Sequence, residues 1–194
     1  MFPHQKIPAQ GGVVAVEFSL VLMLFLVIAV GVIECARAMY LYNTLEMVTQ
    51  RAARLAANAD FRDPAAMNAV RRKAVFRDSA GTLMLGDPVT DAHVRIDYLA
   101  LTYAGTPALT EIPAAALPAC TVNNRITCMK DPYDASCIRF VRARICDPAV
   151  TATCNHVPYQ TLLSLVSLPL SLPNATAIAN AETLGATVGA APCP

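Results

Sequence analysis

The chain has 194 residues and a formal net charge of +1, and hydrophobic residues make up 55% of it against 15% charged. This length suits one modest domain together with a further segment. The near-neutral charge, and the lack of a basic stripe interleaved with aromatic residues, argue against a nucleic-acid partner.

The N-terminal third predicts a leader followed by a long helix. Residues 1–12, MFPHQKIPAQGG, are rich in proline and glycine and predict an unstructured polar leader. No proline follows Val13 until Pro64, so a helix can run from Val13 to about Ala57, roughly 65 Å at 1.5 Å per residue. Residues 18–33 carry no charge and, with the apolar residues just before them, reach membrane-spanning length. We therefore predict a transmembrane helix over residues 13–34.

The second half of this helix, residues 35–60, is predicted to project from the membrane as an amphipathic continuation. Its apolar residues recur at helical spacing and share one face: Leu41, Leu45, Val48, Ala52 and Leu55. This apolar stripe either packs on the globular domain of its own chain or packs between the helices of neighbouring subunits.

Residues 61–194 predict a small antiparallel head, which gives an α+β fold class. Asp63-Pro64 provides an N-cap and a first-turn proline for a short helix that ends near Phe76. Strands are expected over residues 93–103, 137–146 and 174–184, the first on the basis of alternating apolar residues. Residues 105–136 are expected to be loop-like, and residues 159–173 to form a crossover.

Seven cysteines are present, and their distribution favours disulfides. Cys35 stands alone in the long helix, whereas the others fall in the C-terminal part: Cys120, Cys128, Cys137, Cys146, Cys154 and Cys193. The lack of a CxxC pair argues against a zinc site, and neither a metal nor another cofactor is expected. An even set of spaced cysteines indicates disulfides and an oxidising compartment, although the spacing does not determine the pairing.

The spacing between Gly12 and Glu17 requires an explanation, because a charged side chain inside a bilayer costs roughly 2.5–3.5 kcal/mol on insertion scales. Cleavage between Gly12 and Val13 would make Glu17 the fifth residue of a mature chain, about 6 Å along a helix from the new α-amine. A glutamate of one subunit can then pair with the amine of its neighbour, which offsets two unfavourable charges on assembly.

This pattern has a recognisable form. Gly12-x-x-x-x-Glu17-Phe18 before an apolar helix resembles the class 3 signal of type IV pilins and pseudopilins. The longer stretch resembles the TadE-like family of tight-adherence (Tad) pilus pseudopilins. Its matching features are the VEF start at Val16 to Phe18, Gly31 to Glu34, Arg37 with Tyr40, and the Ala/Arg-rich helix from Arg51 to Ala57.

The resemblance implies a structural role with several partners. A prepilin peptidase would cut between Gly12 and Val13, and the mature protein would wait in the inner membrane with a periplasmic head. The inner-membrane pilus platform would then use it as a minor pilin beside the major Flp-type pilin and other pseudopilins, with Glu17 and Phe18 near the start of the assembly helix. The resemblance also implies incorporation into an extracellular pilus.

Other interpretations of the same residues remain open. The chain could be a single-span anchored envelope binding domain that never enters a filament, or a secreted domain cut before Met39 by an ordinary signal peptidase. A lipoprotein anchored through Cys35 is disfavoured by Glu34, which stands where such signals need a small residue. No enzyme motif is present, so we expect no catalytic activity. The arginines at 139, 142 and 144 are expected to form a solvated face.

Overall fold

The structure is a computed structural model that describes residues 11–162, 170–187, 189 and 191–193. Of the predicted leader, only residues 11 and 12 fall within the described part. The middle of the predicted crossover, residues 163–169, lies outside it. The chain divides into two compact units, one reaching Met39 and the other beginning at Tyr40.

Helix α1 spans Gly11–Ala56 and is the longest element of the chain. The absence of proline throughout this stretch allows unbroken backbone hydrogen bonding, so the predicted long helix is confirmed. Helix α2 spans Pro64–Ala74. The Asp63 side chain accepts a hydrogen bond from the Ala65 N–H at 2.8 Å, and Pro64 occupies the first turn, as the N-cap prediction required.

The described residues of the second unit form an antiparallel sheet of four strands in the order β2-β1-β3-β4. Its strands are β1 Val94–Tyr103, β2 Pro107–Glu111, β3 Phe140–Ile145 and β4 Thr176–Asn180. The predicted α+β class is therefore confirmed. All three predicted strands are shorter in the structure than expected, the first by one residue, because residues at their ends bond elsewhere. The Ile138 N–H, for example, donates to the Asn124 side chain at 2.8 Å rather than to a strand.

The prediction that residues 105–136 form only loop was wrong. Strand β2 pairs with β1, and helix α3 spans Thr121–Lys130. All five residues of β2 are exposed, so the strand lacks the apolar alternation that marks a half-buried strand in a sequence. Only Asn124 of α3 is buried, which leaves the helix without a recognisable apolar stripe. The described residues also include 3-10 helices at Asp91–His93 and Ala114–Ala116.

The core of the second unit lies between one face of the sheet and the helices. Tyr98, Ala100 and Val141 provide the strand side, which we call the core face. Ala56, Met67 and Val70 belong to the helices that contribute to the same cluster. The segment after β4 closes the core, because the N–H groups of Glu182 and Leu184 both donate to the Ala57 carbonyl.

Three disulfides staple the second unit. They join Cys120 to Cys193, Cys128 to Cys137, and Cys146 to Cys154, with sequence separations of 73, 9 and 8 residues. The prediction that these six residues form disulfides is confirmed, and the structure supplies the pairing that the spacing left open.

Candidate functional site

The predicted processing residues lie at the start of α1. Gly12 and Val13 are both exposed, and a Cβ built on Gly12 would meet no atom within 4 Å. No described residue therefore covers the peptide bond between Gly12 and Val13. Glycine at this position gives an approaching partner a surface without a side chain.

Glu17 follows on the same helix and is exposed. The part of the chain that the structure describes offers its carboxylate no hydrogen-bond donor and no cation. Its neighbour Phe18 is also exposed, at 66%. By contrast, the Ser19 hydroxyl is satisfied locally, because it donates to the Val16 carbonyl at 2.8 Å. Glu17 is thus the charge in this segment for which the described residues supply no counter-charge.

The apolar side chains between Val13 and Ile33 are almost all exposed. Among the described residues there is one helix long and apolar enough to cross a membrane, and it lies within Gly12–Ala56. Residues 13–33 correspond to about 31 Å of helix, close to the hydrocarbon thickness of a bilayer. An apolar surface of this extent marks a site of contact with lipid or protein.

Charged residues reappear at the C-terminal side of this apolar stretch. Glu34 and Arg37 lie one helical turn apart, and the Arg37 Nη1 donates to the Glu34 Oε1 at 3.4 Å. The pairing of an acid with a base three residues later suits a helix surface. The exposed Cys35 beside them is a free cysteine.

The predicted apolar stripe is buried within the second unit. Leu41, Leu45, Val48 and Ala52 have no exposed surface, and Leu55 is partly buried. A flank of the same helix outside the stripe is exposed, and we call it the open flank; it includes Tyr42, Glu46 and Gln50. The side chains proposed for helix packing are therefore occupied by contacts within this chain.

Of the three arginines expected on a solvated face, Arg142 and Arg144 are instead arranged around a carboxylate, whereas Arg139 donates to the Pro132 carbonyl at 3.4 Å. In the strand register Asp97 lies opposite Arg142, and Arg95 lies opposite Arg144. These residues form, together with Glu111, what we call the charged face, on the opposite side of the sheet from the core face. Asp97 is only 7% exposed.

Asp97 accepts hydrogen bonds from all three arginines of the charged face. Arg144 approaches its Oδ2 at 2.9 Å through Nε and at 2.5 Å through Nη2, and Arg142 approaches the same oxygen at 3.2 Å. The Arg95 Nε donates to Oδ1 at 3.2 Å. Arg142 also bonds to Glu111, which is 44% exposed. Three cations against two anions leave the charged face with an excess of one positive charge.

Two further polar groups of the second unit have local roles. Cys154 is oxidised in a disulfide, and the His156 Nδ1 lies 3.1 Å from the Leu172 carbonyl, so no thiol–imidazole pair forms. Asp134 accepts hydrogen bonds from the hydroxyl and N–H of Ser136, which lower the pKa of its carboxyl. Within the described ranges, no group of three potential metal ligands is present.

Comparison with known proteins gives one match. A family model described as TadE-like protein matches residues 12–54. The N-terminal segment of this chain is therefore similar to TadE-like proteins. No curated protein and no solved structure gives a match. The resemblance drawn from the Val16-Glu17-Phe18 start and the helix after it is confirmed.

The TadE-like segment, residues 12–54, begins at Gly12 and includes Glu17 and most of the buried stripe. It stops before α2 and the sheet. The charged face therefore lies outside the match and was found from the structure. A signal for it does exist in the sequence, because Arg95 and Asp97 on one strand and Arg142 and Arg144 on another alternate with apolar residues. Only the strand register shows that they meet.

Proposed function

We propose that this chain is a pilin-like subunit of a Tad (Flp-type) pilus that is cleaved between Gly12 and Val13 and assembles through its N-terminal helix. The exposed apolar helix that carries Glu17 near its start is the observation that supports this role most directly. The TadE-like match over residues 12–54 supports the same conclusion. The role is structural and requires no catalytic group or cofactor.

Cleavage would create an α-amine on Val13, about 6 Å along the helix from the Glu17 carboxylate. A lone carboxylate near the bilayer costs roughly 2.5–3.5 kcal/mol, and a neighbouring subunit's amine offsets that cost by forming an ion pair. Assembly would therefore be favoured over the isolated subunit, and the Glu17 position would set the register between helices. Phe18 would pack beside this pair.

The proposed organisation follows the four predicted segments. Residues 1–12 form the leader, residues 13–34 the membrane span, residues 35–60 the continuing helix and residues 61–194 the head. The three disulfides support an oxidising environment for the head, which in a bacterial envelope is the periplasm. The partners would be a prepilin peptidase, the inner-membrane pilus platform, the major Flp-type pilin and other pseudopilins.

The first experiment is the intact mass and N-terminal sequence of the chain purified from envelopes that contain a matched prepilin peptidase. We expect the mature chain to begin at Val13. A start at Met1 would identify an uncut anchor, and a start at Met39 would identify a secreted domain. Either of these results would contradict the proposed processing.

The second experiment separates assembly from anchoring. Glu17→Ala should leave expression and cleavage intact but prevent incorporation into pili, because the neighbouring amine loses its counter-charge. Ser19→Ala is the matched control, since the Ser19 hydroxyl donates to the Val16 carbonyl within the same helix. In a single-span envelope binding domain, Glu17→Ala would remove an unfavourable charge and do no harm. Normal piliation in that variant would therefore favour this alternative.

A further inference from the structure

Among the described residues, no strand pairs with the outer side of β4, which therefore forms one free edge of the sheet. The Ala181 N–H donates to the Arg139 carbonyl, and the Ile145 N–H donates to the Ala175 carbonyl. In an antiparallel pair, residues whose backbone groups bond to the neighbouring strand alternate with residues whose N–H and C=O groups point away from that strand. The backbone groups of Thr176, Ile178 and Asn180 therefore point away from β3. Their side chains lie on the charged face, because Ile178 lies opposite Arg142.

Strand β2 forms the other free edge within the part of the chain that the structure describes. The Ile112 N–H donates to the Tyr98 carbonyl, so the same alternation directs the backbone groups of Leu109 and Glu111 away from β1. The side chains of Pro107, Leu109 and Glu111 lie on the charged face, since Glu111 pairs with Leu99 two residues from Asp97. The two edge strands therefore have the same length. At both edges, the residues whose backbone groups point outward carry their side chains on the charged face.

A groove runs beside the β4 edge. Its volume is about 870 Å³, and its walls are the open flank of α1 and residues 173–179. The helix flank contributes Glu46, Gln50 and Arg54. The groove is thus a space next to unpaired backbone groups, with polar side chains along one wall. These are the features by which a sheet accepts an additional strand.

We propose that the β4 edge of one copy of this chain pairs with the β2 edge of a second copy. Strands β2 and β3 run in the same direction and β4 runs opposite, so a neighbour in the same orientation presents β2 antiparallel to β4. The pairing places Ile178 opposite Leu109 of the second copy, Thr176 opposite Glu111 and Asn180 opposite Pro107.

Side-chain chemistry favours this pairing. Ile178 is 49% exposed and Leu109 is 47% exposed, and the contact buries each against the other on one face. Apolar cross-strand pairs of this kind stabilise antiparallel sheets.

Charge selects the second copy's β2 edge over its β4 edge. Arg142 and Arg144 adjoin β4, whereas the β2 edge carries the half-exposed Glu111. Pairing β4 with β2 therefore brings unlike charges together across the boundary. Pairing β4 with a second β4 would instead bring the arginines of two copies toward each other, which is unfavourable.

A contact between two different edges leaves one β2 edge and one β4 edge unpaired in a dimer, unlike a two-fold contact between identical edges. After one contact the first copy still has a free β2 edge and the second copy a free β4 edge, so the contact can repeat along a row of copies in one orientation. The contact does not involve residues 12–17, so it stands apart from the cleavage and helix assembly proposed above.

Cysteine cross-linking in envelopes tests which edges meet. Two differently tagged full-length chains are co-expressed in a Cys35→Ser background, one with Ile178→Cys and the other with Leu109→Cys. We expect an oxidised band at twice the chain mass that carries both tags. Met84→Cys paired with Met129→Cys is the control, because both side chains are highly exposed and lie outside the sheet, and no cross-link is expected there.

Three cross-linking results would contradict the proposed pairing of β4 with β2. A dimer formed by the Ile178→Cys chain alone would show a two-fold β4 contact and overturn the proposal. A cross-link to a protein of different mass would show that the occupant is not a second copy. Absence of the mixed band, in chains whose alkylated mass still shows three native disulfides, would also overturn it.

Charge variants test the same contact without a covalent bond. With Ile178→Lys and Leu109→Lys in every chain, like charges face each other, and co-purification of the two tags should be lost. Replacing the second change with Leu109→Glu should restore it. Co-purification that is equal in both variants, or lost in both, would overturn the proposal. Neither readout depends on where the N-terminus is cut.

Discussion

Asp97 is the residue that organises the charged face. Its carboxylate is almost fully buried and accepts hydrogen bonds from three guanidinium groups, whose side chains retain 20 to 29% of their exposure. Removal of one partner from such a cluster leaves charges that are poorly hydrated and no longer compensated. The carboxylate therefore holds β1 and β3 together on the side of the sheet away from the core face.

Asp97→Ala should lower the free energy of unfolding by about 3 kcal/mol, because three arginines lose their common acceptor. Glu111→Ala, at the exposed end of the same cluster, should cost less than about 1 kcal/mol. Urea unfolding of the detergent-solubilised chain, followed by tyrosine fluorescence, measures both changes. Equal losses in the two variants would contradict the central role of Asp97.

His93 should make the stability of the head depend on pH. Its Nδ1 accepts a hydrogen bond from the Thr90 N–H at 3.0 Å, which requires a neutral imidazole. Burial lowers the pKa of His93 below 6.5, although Asp147 and Asp91 act in the opposite direction. The unfolded chain therefore takes up the proton first, and stability falls as the pH drops below about 6.5.

The loss should be about 1.4 kcal/mol for each pH unit that separates the folded and unfolded pKa values. It should stop once the pH is below the folded pKa, because both states are then protonated. Urea unfolding midpoints measured between about pH 7.5 and 5 test this expectation. His93→Gln is the comparison, and a pH dependence unchanged in that variant would show that another group is responsible.

At the scale of elements, helix α1 has two kinds of surface. Its first part exposes apolar side chains all round, as suits a membrane or a helix partner. From Leu41 onward one stripe is fully buried and the opposite flank is polar. The second part of the helix is therefore a component of the head's core.

Leu45→Ala tests this assignment. The side chain has no exposed surface, so its truncation should cost about 2–5 kcal/mol of head stability through lost burial and a cavity. Met47→Ala on the exposed flank should change stability by less than about 0.5 kcal/mol. Denaturant unfolding of both variants as dilute detergent-solubilised monomers provides the measurement. A near-neutral Leu45→Ala would indicate that the stripe contributes mainly between subunits.

At the scale of the whole molecule, the disulfides differ in how much chain each encloses. The bond from Cys120 to Cys193 closes a loop of 73 residues that includes β3 and β4, whereas Cys146 and Cys154 are separated by only 8. A longer closed loop removes more conformational entropy from the unfolded chain. The bond to Cys193 therefore anchors the C-terminal segment to the start of α3.

Replacing Cys120 and Cys193 together by serine should cost about 4 kcal/mol on the chain-entropy model, against about 2.5 kcal/mol for the pair Cys146 and Cys154. Urea midpoints of the two double variants, each with its remaining disulfides verified by mass, test the order. A larger loss for the short loop would show that local packing dominates the effect of these bonds.

The sequence by itself determined the long helix, the Gly12–Glu17 spacing, the α2 cap and the use of the six C-terminal cysteines. Each of these depends on local chemistry: an uninterrupted apolar run, the distance between two neighbouring residues, a capping side chain, or an even set of thiols. Such signals can be recognised within a short window, because the physical cause lies between residues close in sequence.

Only the tertiary structure decided which distant residues meet. The position of β2 and the arrangement of arginines around Asp97 depend on strand register, which joins residues up to 51 positions apart. The longest cysteine pairing joins residues 73 positions apart. A shift of one residue would move Arg142 and Arg144 to the core face. The burial of all neighbouring side chains together sets this register, so it is a property of the folded head as a whole.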